Sequence, residues 1–189
     1  MSRLGAALLA AVVGLLVGCG DGSQPSSVEW RNVSLDVPDG WYLAEEAGTH
    51  LTLANVDLRA SGPDSEGDAQ DGPPVGGEDG VVAMAFTYEP TATPDDWRRF
   101  VDAQDATLES DTRITLDGEV PATQLVFSYT TNGVPTREMV TVIPSRAIVV
   151  LSQPVPGPGE EDAPEVFLRH VDTFRQVLET ADFGPPVLE

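Results

Sequence analysis

Three residues of the 189-residue chain could act as a nucleophile, a base or a soft metal ligand: the single cysteine Cys19 and the histidines His50 and His170. No Gly-x-Ser-x-Gly elbow, phosphate-binding glycine loop or His-Glu-x-x-His motif accompanies them. The surrounding residues predict that His50 starts a strand and points to solvent, and that His170 lies beside the apolar stripe of a helix. We therefore expect no catalytic or zinc site, and no enzyme activity.

Adjacent acids occur at Glu45-Glu46, Asp95-Asp96 and Glu160-Glu161, and paired carboxylates can serve as general acid and base. Neighbouring side chains on a strand or loop diverge, however, so these pairs do not face one substrate. Asp95-Asp96 also has a sufficient structural reason, because it opens a helix whose dipole favours anions. We interpret the three pairs as structural.

The segment 60–80 holds six acids, no base and no aromatic residue among many Gly and Pro. This composition predicts a long disordered loop. Its Asp64-x-Glu66-x-Asp68 pattern has the alternate spacing of a calcium-binding loop, but Ala69 and Val75 stand where an EF-hand requires Gly and Glu. We expect a solvated acidic loop here, and no metal site in the chain.

Cys19 has a different context, because an apolar run from Leu4 to Val17 follows Arg3 and precedes it. The run is too short for a membrane span, which needs about 20 residues. Together with the ending Leu16-Val17-Gly18-Cys19, it resembles the signal peptide and lipobox of bacterial lipoproteins. The resemblance implies cleavage between Gly18 and Cys19, lipid attachment to the Cys19 sulfur, and a location on the extracytoplasmic face of the cell membrane.

This resemblance divides the chain into four parts. Residues 1–18 form the signal peptide, and residues 19–27 form the lipidated cysteine with a flexible tether rich in Gly and Ser. Residues 28–182 form a single folded domain, and we expect the tail 183–189 to fray. Because each buried acyl CH₂ contributes roughly 0.8 kcal/mol, two or three chains make the attachment effectively permanent.

The charge of the chain excludes two classes of partner. Its ten basic residues, all of them Arg, stand against 31 acids, for a net charge of −21. Removal of the leader takes away only Arg3, which leaves 9 − 31 = −22. A chain of this charge repels nucleic-acid phosphates and anionic lipid head groups. We therefore expect membrane contact only through the lipid on Cys19, and no nucleic acid.

The domain combines strand patterns with two helices. The first helix begins at Thr93 as N-cap and Pro94 as first residue, and carries apolar residues that face a sheet: Trp97, Phe100, Val101 and Leu108. The second helix spans 163–180, with one apolar stripe: Phe167, Val171, Phe174 and Leu178. Periodicity assigns Trp97 to the core rather than to ligand stacking.

Seven strands are predicted from alternation and turn residues, the last four of them as a meander. Asn132-Gly133 is the strongest hairpin signal. The predicted strands are Trp30–Val37, His50–Val56, Val81–Tyr88, Arg113–Leu116, Ala122–Tyr129, Arg137–Ile143 and Ala147–Leu151.

This order of elements predicts one α+β domain with a mainly antiparallel sheet flanked by helices. The phrases Val37-Pro38-Asp39-Gly40-Trp41 and Leu116-Asp117-Gly118, the Asn132-Gly133 hairpin and the closing Phe-rich helix resemble the PsbP-like fold, an α/β/α sandwich. That fold includes an extrinsic photosystem protein, a nuclear import factor and small mycobacterial cell-wall lipoproteins. The resemblance implies an accessory or interaction module without a cofactor. The acidic segment 60–80 departs from the family pattern.

Two functions remain open at this point. The first is an interaction module that contacts another protein of the cell envelope. The alternative is a lipid- or small-molecule-binding lipoprotein with an apolar cleft between sheet and helix, for which Trp30, Trp41 and Trp97 are candidate lining residues. A hydrolase would need, as a minimum, a cleft that joins His50 or His170 to an acid.

Overall fold

The computed structural model describes residues 25–57, 80–131, 133–155 and 163–186. The helices are α1 (Pro94–Ala103) and α2 (Ala163–Thr180), and a 3-10 turn spans Pro144–Arg146. The strands are β1 (Ser27–Trp30), β2 (Val33–Asp36), β3 (Tyr42–Glu46), β4 (His50–Ala54), β5 (Val82–Tyr88), β6 (Thr107–Leu116), β7 (Val120–Thr131), β8 (Val134–Ile143), β9 (Ile148–Pro154) and β10 (Asp182–Phe183).

The strands form two antiparallel sheets. The larger sheet has seven strands in the order β3-β4-β5-β9-β8-β7-β6, and the smaller has three in the order β1-β2-β10. With two helices, this arrangement confirms the predicted α+β class. The last four strands of the large sheet are neighbours in sequence and in space, so the predicted meander is confirmed too. The leader 1–18, Cys19, Asn132 and residues 58–79 lie outside the described residues.

Two hydrophobic cores cover opposite faces of the large sheet. In β8, Met139 and Ile143 belong to one core, whereas Val140 and Val142 belong to the other. Successive residues of a strand point to opposite faces, so this alternation requires cover on both sides. The first core also contains α2 and the three-stranded sheet. The second contains α1, with Trp97 buried in it as the sequence predicts.

The start of α1 follows from its sequence. The Thr93 hydroxyl accepts a hydrogen bond from the Asp96 backbone N–H at 3.3 Å, and the Asp96 carboxylate accepts one from the Thr93 N–H at 3.0 Å. Each bond satisfies a donor that the first turn of a helix would otherwise leave unpaired. Pro94 occupies the first helical position, where its missing N–H costs nothing. The predicted N-terminus is therefore confirmed.

The end of α1 differs from the prediction. Asp105 adopts a left-handed conformation with φ of 52°, and the Ala106 N–H donates to the Val101 carbonyl at 3.2 Å. This return bond is a Schellman-type stop, which closes the helix in the absence of glycine. Leu108 therefore lies in β6 opposite Phe127 rather than on the helix, and 40% of its surface is exposed. Its assignment to the helical stripe was wrong.

Asp105→Gly should stabilise the domain by about 0.5–1 kcal/mol, because glycine adopts positive φ without the steric cost that a side chain carries. Asp102→Gly is the matched control: Asp102 is an exposed acid in the last turn of α1, where glycine should cost about 1 kcal/mol. Urea unfolding of both variants would measure the two effects. The same sign for both would contradict the conformation assigned to Asp105.

The helix α2 carries the predicted stripe and a wider buried face. Phe167, Phe174 and Leu178 are fully buried, and Val171 is packed at the margin of the same core. Residues on the adjoining turns extend this face: Ala163, Val166 and Val177. The buried face of α2 is wider than the predicted stripe because α2 shares one core with both the large sheet and the small sheet.

The small sheet corrects two predictions. The stretch Trp30–Val37 is not one strand but a hairpin, because Arg31 turns the chain with a φ of 54° and Trp30 pairs with Val33. The tail does not fray directly after Asp182. Phe183 pairs with Val33 and is 1% exposed, because its ring has a place in the main core. Asn32 secures this edge by donating to the Gly184 carbonyl at 3.0 Å.

The acidic segment connects the end of β4 to the start of β5, two neighbouring strands of the large sheet. The Asn55 side-chain amide donates to the Gly80 carbonyl at 2.9 Å, and its oxygen accepts from the Val82 N–H at 2.8 Å. Gly80 has a φ of 74°, and a Cβ at this position would lie 2.6 Å from a Val166 methyl group of α2. Asn55 therefore joins the end of β4 directly to the start of β5.

Candidate functional site

The two histidines lie on different elements. His50 begins β4, and its Nε2 is 2.9 Å from a carboxylate oxygen of Glu45 on the adjacent strand β3. This side chain is 36% exposed, so it is only partly directed to solvent. His170 lies on α2 and is half-buried. Among the described residues, no group of three or more His, Cys, Asp or Glu side chains is arranged to hold a metal ion.

The predicted structural role of the Asp95-Asp96 pair agrees with its contacts. Asp95 and Asp111 both bind the Arg98 guanidinium, with 2.6 Å between Arg98 Nε and Asp111. Asp96 caps the helix and binds Arg99. Hydrogen bonds from Thr93 and Arg99 lower the pKa of Asp96, and the bond from Arg98 lowers the pKa of Asp111. The Arg98–Asp111 pair joins α1 to β6, whereas the contacts of Asp95 and Asp96 lie within α1.

Several predicted features lie outside the described residues. They are the cleavage and lipidation residues Gly18 and Cys19, the Asp64-x-Glu66-x-Asp68 pattern and the Glu160-Glu161 pair. Neither helix in the described ranges combines the length and the apolar character needed to cross a bilayer.

The three tryptophans are buried in the described part of the chain. Trp30 is buried, and its indole N–H donates to the Ala47 carbonyl at 2.7 Å. Trp41 packs edge-on against Phe174, with ring centroids 6.2 Å apart. Trp97 lies in the second core. All three rings therefore stabilise the fold.

An open groove of about 690 Å³ lies at one end of the large sheet, where β6 begins, β7 ends and β8 begins. The residues that follow α1 form one wall, and Pro164 in the first turn of α2 forms part of another. Most lining groups are polar, including Gln104, Asp105, Thr107, Ser128 and Thr130. Such a surface suits a hydrogen-bonding partner better than a lipid chain.

An ion pair lies within this groove. Arg137 of β8 binds Glu109 of β6 across the intervening strand β7, and each side chain is 26% exposed. The Arg137 guanidinium also lies 5.6 Å from the ring centroid of Phe167 in α2, within the range of a cation–π contact. Glu109 reaches this position because a β-bulge interrupts β6 between Leu108 and Ser110.

The groove also contains an unpaired stretch of strand. The register pairs Thr107 of β6 with Ser128 of β7, so Tyr129, Thr130 and Thr131 continue past the start of β6. Their partners on the opposite side are residues of β8. No other strand in the described part of the chain pairs with them on the β6 side. Tyr129 and Thr130 line the groove, so the open stretch at the end of β7 offers a short sheet edge there.

A buried carboxyl group lies next to this edge. Glu138 of β8 is 6% exposed and accepts a hydrogen bond from the hydroxyl of Tyr129, which lines the groove. Burial raises the pKa of Glu138 and outweighs the opposing effect of the hydrogen bond from Tyr129, so that the pKa is about 7. Burial also raises the pKa of the Tyr129 phenol. Glu138 therefore titrates near neutrality in a mainly apolar environment.

Comparisons with other proteins add little. No protein family and no curated protein matches the chain. A protein of unknown function from Pseudomonas aeruginosa, PA94, aligns in structure with a TM-score of 0.45 and 16% identity, over 84% of this chain and 96% of that one. Similarity at this level carries no argument about function.

Proposed function

We propose that this chain is a lipid-anchored lipoprotein of the extracytoplasmic membrane face, whose PsbP-like domain is an interaction module of the cell envelope. Cys19 is the attachment site, cleavage occurs after Gly18, and the tether runs from Cys19 to the start of β1 at Ser27. The support for anchoring is the apolar run from Leu4 to Val17, which ends two residues before the only cysteine. The domain would then be held close to the membrane while its acidic surface avoids anionic head groups.

The observation that carries the interaction role is the open polar groove at the end of the large sheet. It exposes hydroxyl and amide groups, an ion pair and an unpaired strand edge, all of which can form hydrogen bonds to another protein. The alternative of a lipid or small-molecule ligand gains no support from Trp30, Trp41 and Trp97, because all three are core residues. The proposal includes no catalytic step: His50 lies against Glu45, but neither residue lines the groove.

Cys19→Ala should abolish membrane attachment and leave the folded domain intact. In intact cells, radiolabelled palmitate should be incorporated by the parent chain and not by the variant, which should appear in the soluble extracytoplasmic fraction. Ser23→Ala, four residues away in the tether, is the matched control and should keep both label and location. Palmitate labelling that persists in Cys19→Ala would overturn the anchor.

The interaction role is tested by crosslinking of the anchored chain in cells. Reagents that join lysines are unsuitable, because the chain has no lysine. A photoreactive residue such as benzoylphenylalanine, placed in turn at exposed sites on each face, avoids this difficulty. Recovery of the same protein neighbour from independent cultures supports the role, and no neighbour from any site would refute it.

A further inference from the structure

We infer that the groove binds an extended segment of a partner protein, which pairs through its backbone with Tyr129–Thr131 of β7 and carries a basic side chain beside Asp105. The inference rests on the proposed interaction role and names the chemistry of the partner. The recognition surface is thus the end of β7.

The backbone argument starts from the register. Residues of a strand direct their N–H and C=O groups alternately to the two sides, so at least one residue among Tyr129–Thr131 directs both groups to the open side. Unpaired edge groups are templates for another strand. Three residues of strand span about 10 Å, which sets the length of the paired segment.

The chain keeps this edge open by its own geometry. Ahead of β6, the left-handed conformation of Asp105 turns the backbone away toward α1, so the chain does not continue along β7. Thr130, in the centre of the open stretch, has an exposed side chain. In contrast to the end of β7, the outer edge of β6 has a bulge and the charged residues Asp111 and Arg113. Both features oppose the addition of another strand.

Charge selects the side chain of the segment. The Arg137 guanidinium is already bound by Glu109, so its charge is compensated within the groove. Asp105 is exposed at the groove wall, where its carboxylate adds negative charge to a chain of net charge −21. A segment with Lys or Arg opposite Asp105 gains attraction, and one with Asp or Glu there is repelled.

The first experiment uses the full anchored chain in its own cells, with benzoylphenylalanine at Thr130. Thr115 is the matched control, because it is an exposed threonine on β6, eight positions beyond the Thr107 that starts this strand. We expect an adduct at Thr130 and not at Thr115. Mass spectrometry of the adduct should place the attachment within an extended segment that includes a basic residue.

Other results identify other occupants. Attachment to a second copy of this chain, or to a segment without a basic residue, would overturn the inference and leave the interaction role standing. An adduct only at Thr115 would do the same. The absence of adducts at both sites and at every other exposed site would refute the interaction role itself.

The second experiment measures binding of the crosslinked segment, made as a fluorescent synthetic peptide, to the full-length chain in detergent. Asp105→Asn removes the charge and keeps a residue that tolerates positive φ, and it should weaken binding about 3-fold at low salt, as expected for an exposed ion pair. N-methylation of the peptide backbone should abolish binding. Unchanged affinity after N-methylation would exclude strand pairing.

Discussion

Phe174→Ala should lower the free energy of unfolding of this domain by about 3–5 kcal/mol. The Phe174 side chain is fully buried. Its ring contacts Trp41 edge-on and lies 5.9 Å from the Phe167 ring, so truncation removes two aromatic contacts as well as buried area. It also leaves a cavity where α2 joins the large and small sheets.

Leu168→Ala is the matched control, because Leu168 lies on the same helix and is 46% exposed. Its cost should stay within about 0.5 kcal/mol. Both effects are measured by urea unfolding of the domain in the unlipidated Cys19→Ala background. Equal midpoints for the two variants would mean that α2 is not docked as described.

Glu138→Gln should remove a pH dependence from the stability of the domain. Burial holds the pKa of Glu138 at about 7, above its ordinary value of 4.5. Between these two values the unfolded chain releases the proton while the folded chain keeps it, so stability falls as pH rises through this window. Above pH 7 the folded domain carries the full cost of a buried carboxylate.

The size of this effect follows from the pKa difference. Each pKa unit corresponds to about 1.4 kcal/mol, so the full cost is about 3 kcal/mol. Gln keeps an acceptor for the Tyr129 hydroxyl and cannot ionise. The variant should therefore gain about 2–3 kcal/mol on the parent between pH 5 and pH 8.5. This range stays above the isoelectric point of about 4.1, where the chain loses its net charge.

The measurement is the difference in urea unfolding free energy between parent and variant at each pH, which cancels the titration of all other groups. Tyr129→Phe provides a second check. Loss of its hydrogen bond to the carboxylate should raise the pKa of Glu138 further. A difference between parent and Glu138→Gln that is constant with pH would rule out the buried, titrating carboxyl group.

Local signals in the sequence account for much of the fold. The start of α1 follows from Thr93, Pro94 and Asp96, because capping chemistry depends only on neighbouring residues. The bounds and stripe of α2 follow from its apolar period. The meander follows from alternation and turns. In each case the residues that decide the structure lie within a few positions of one another.

The misassigned elements depend on residues that are distant in sequence or carry no local signal. Phe183 looks like part of a Gly- and Pro-rich tail, and its strand partner is Val33, some 150 residues earlier. Asp105 ends α1 in the left-handed conformation, at a position where a sequence usually has glycine. Leu108 continued the helical period by coincidence and was assigned to the wrong element.

The candidate site was beyond prediction for the same reason. Gln104, Ser128 and Arg137 meet at one end of the sheet only because of strand register. Glu138 did have a local signal. Within Arg137–Ile143, alternation places it on the same face as Val140 and Val142, which belong to the second core. A carboxyl group in such a position is buried, and its pKa rises.

The two hydrogen bonds of the Asn55 side chain make the connection between β4 and β5 a point where the length of the chain can change. Since this side chain binds both Gly80 and Val82, the register of β4 with β5 does not depend on what the gene encodes between Asp57 and Gly80. Loop-closure cost grows only with the logarithm of length, so 22 residues in place of four cost about 1.5 kcal/mol. Insertions and deletions at this point are therefore nearly neutral for folding, and related chains can differ in length here while sharing the same domain.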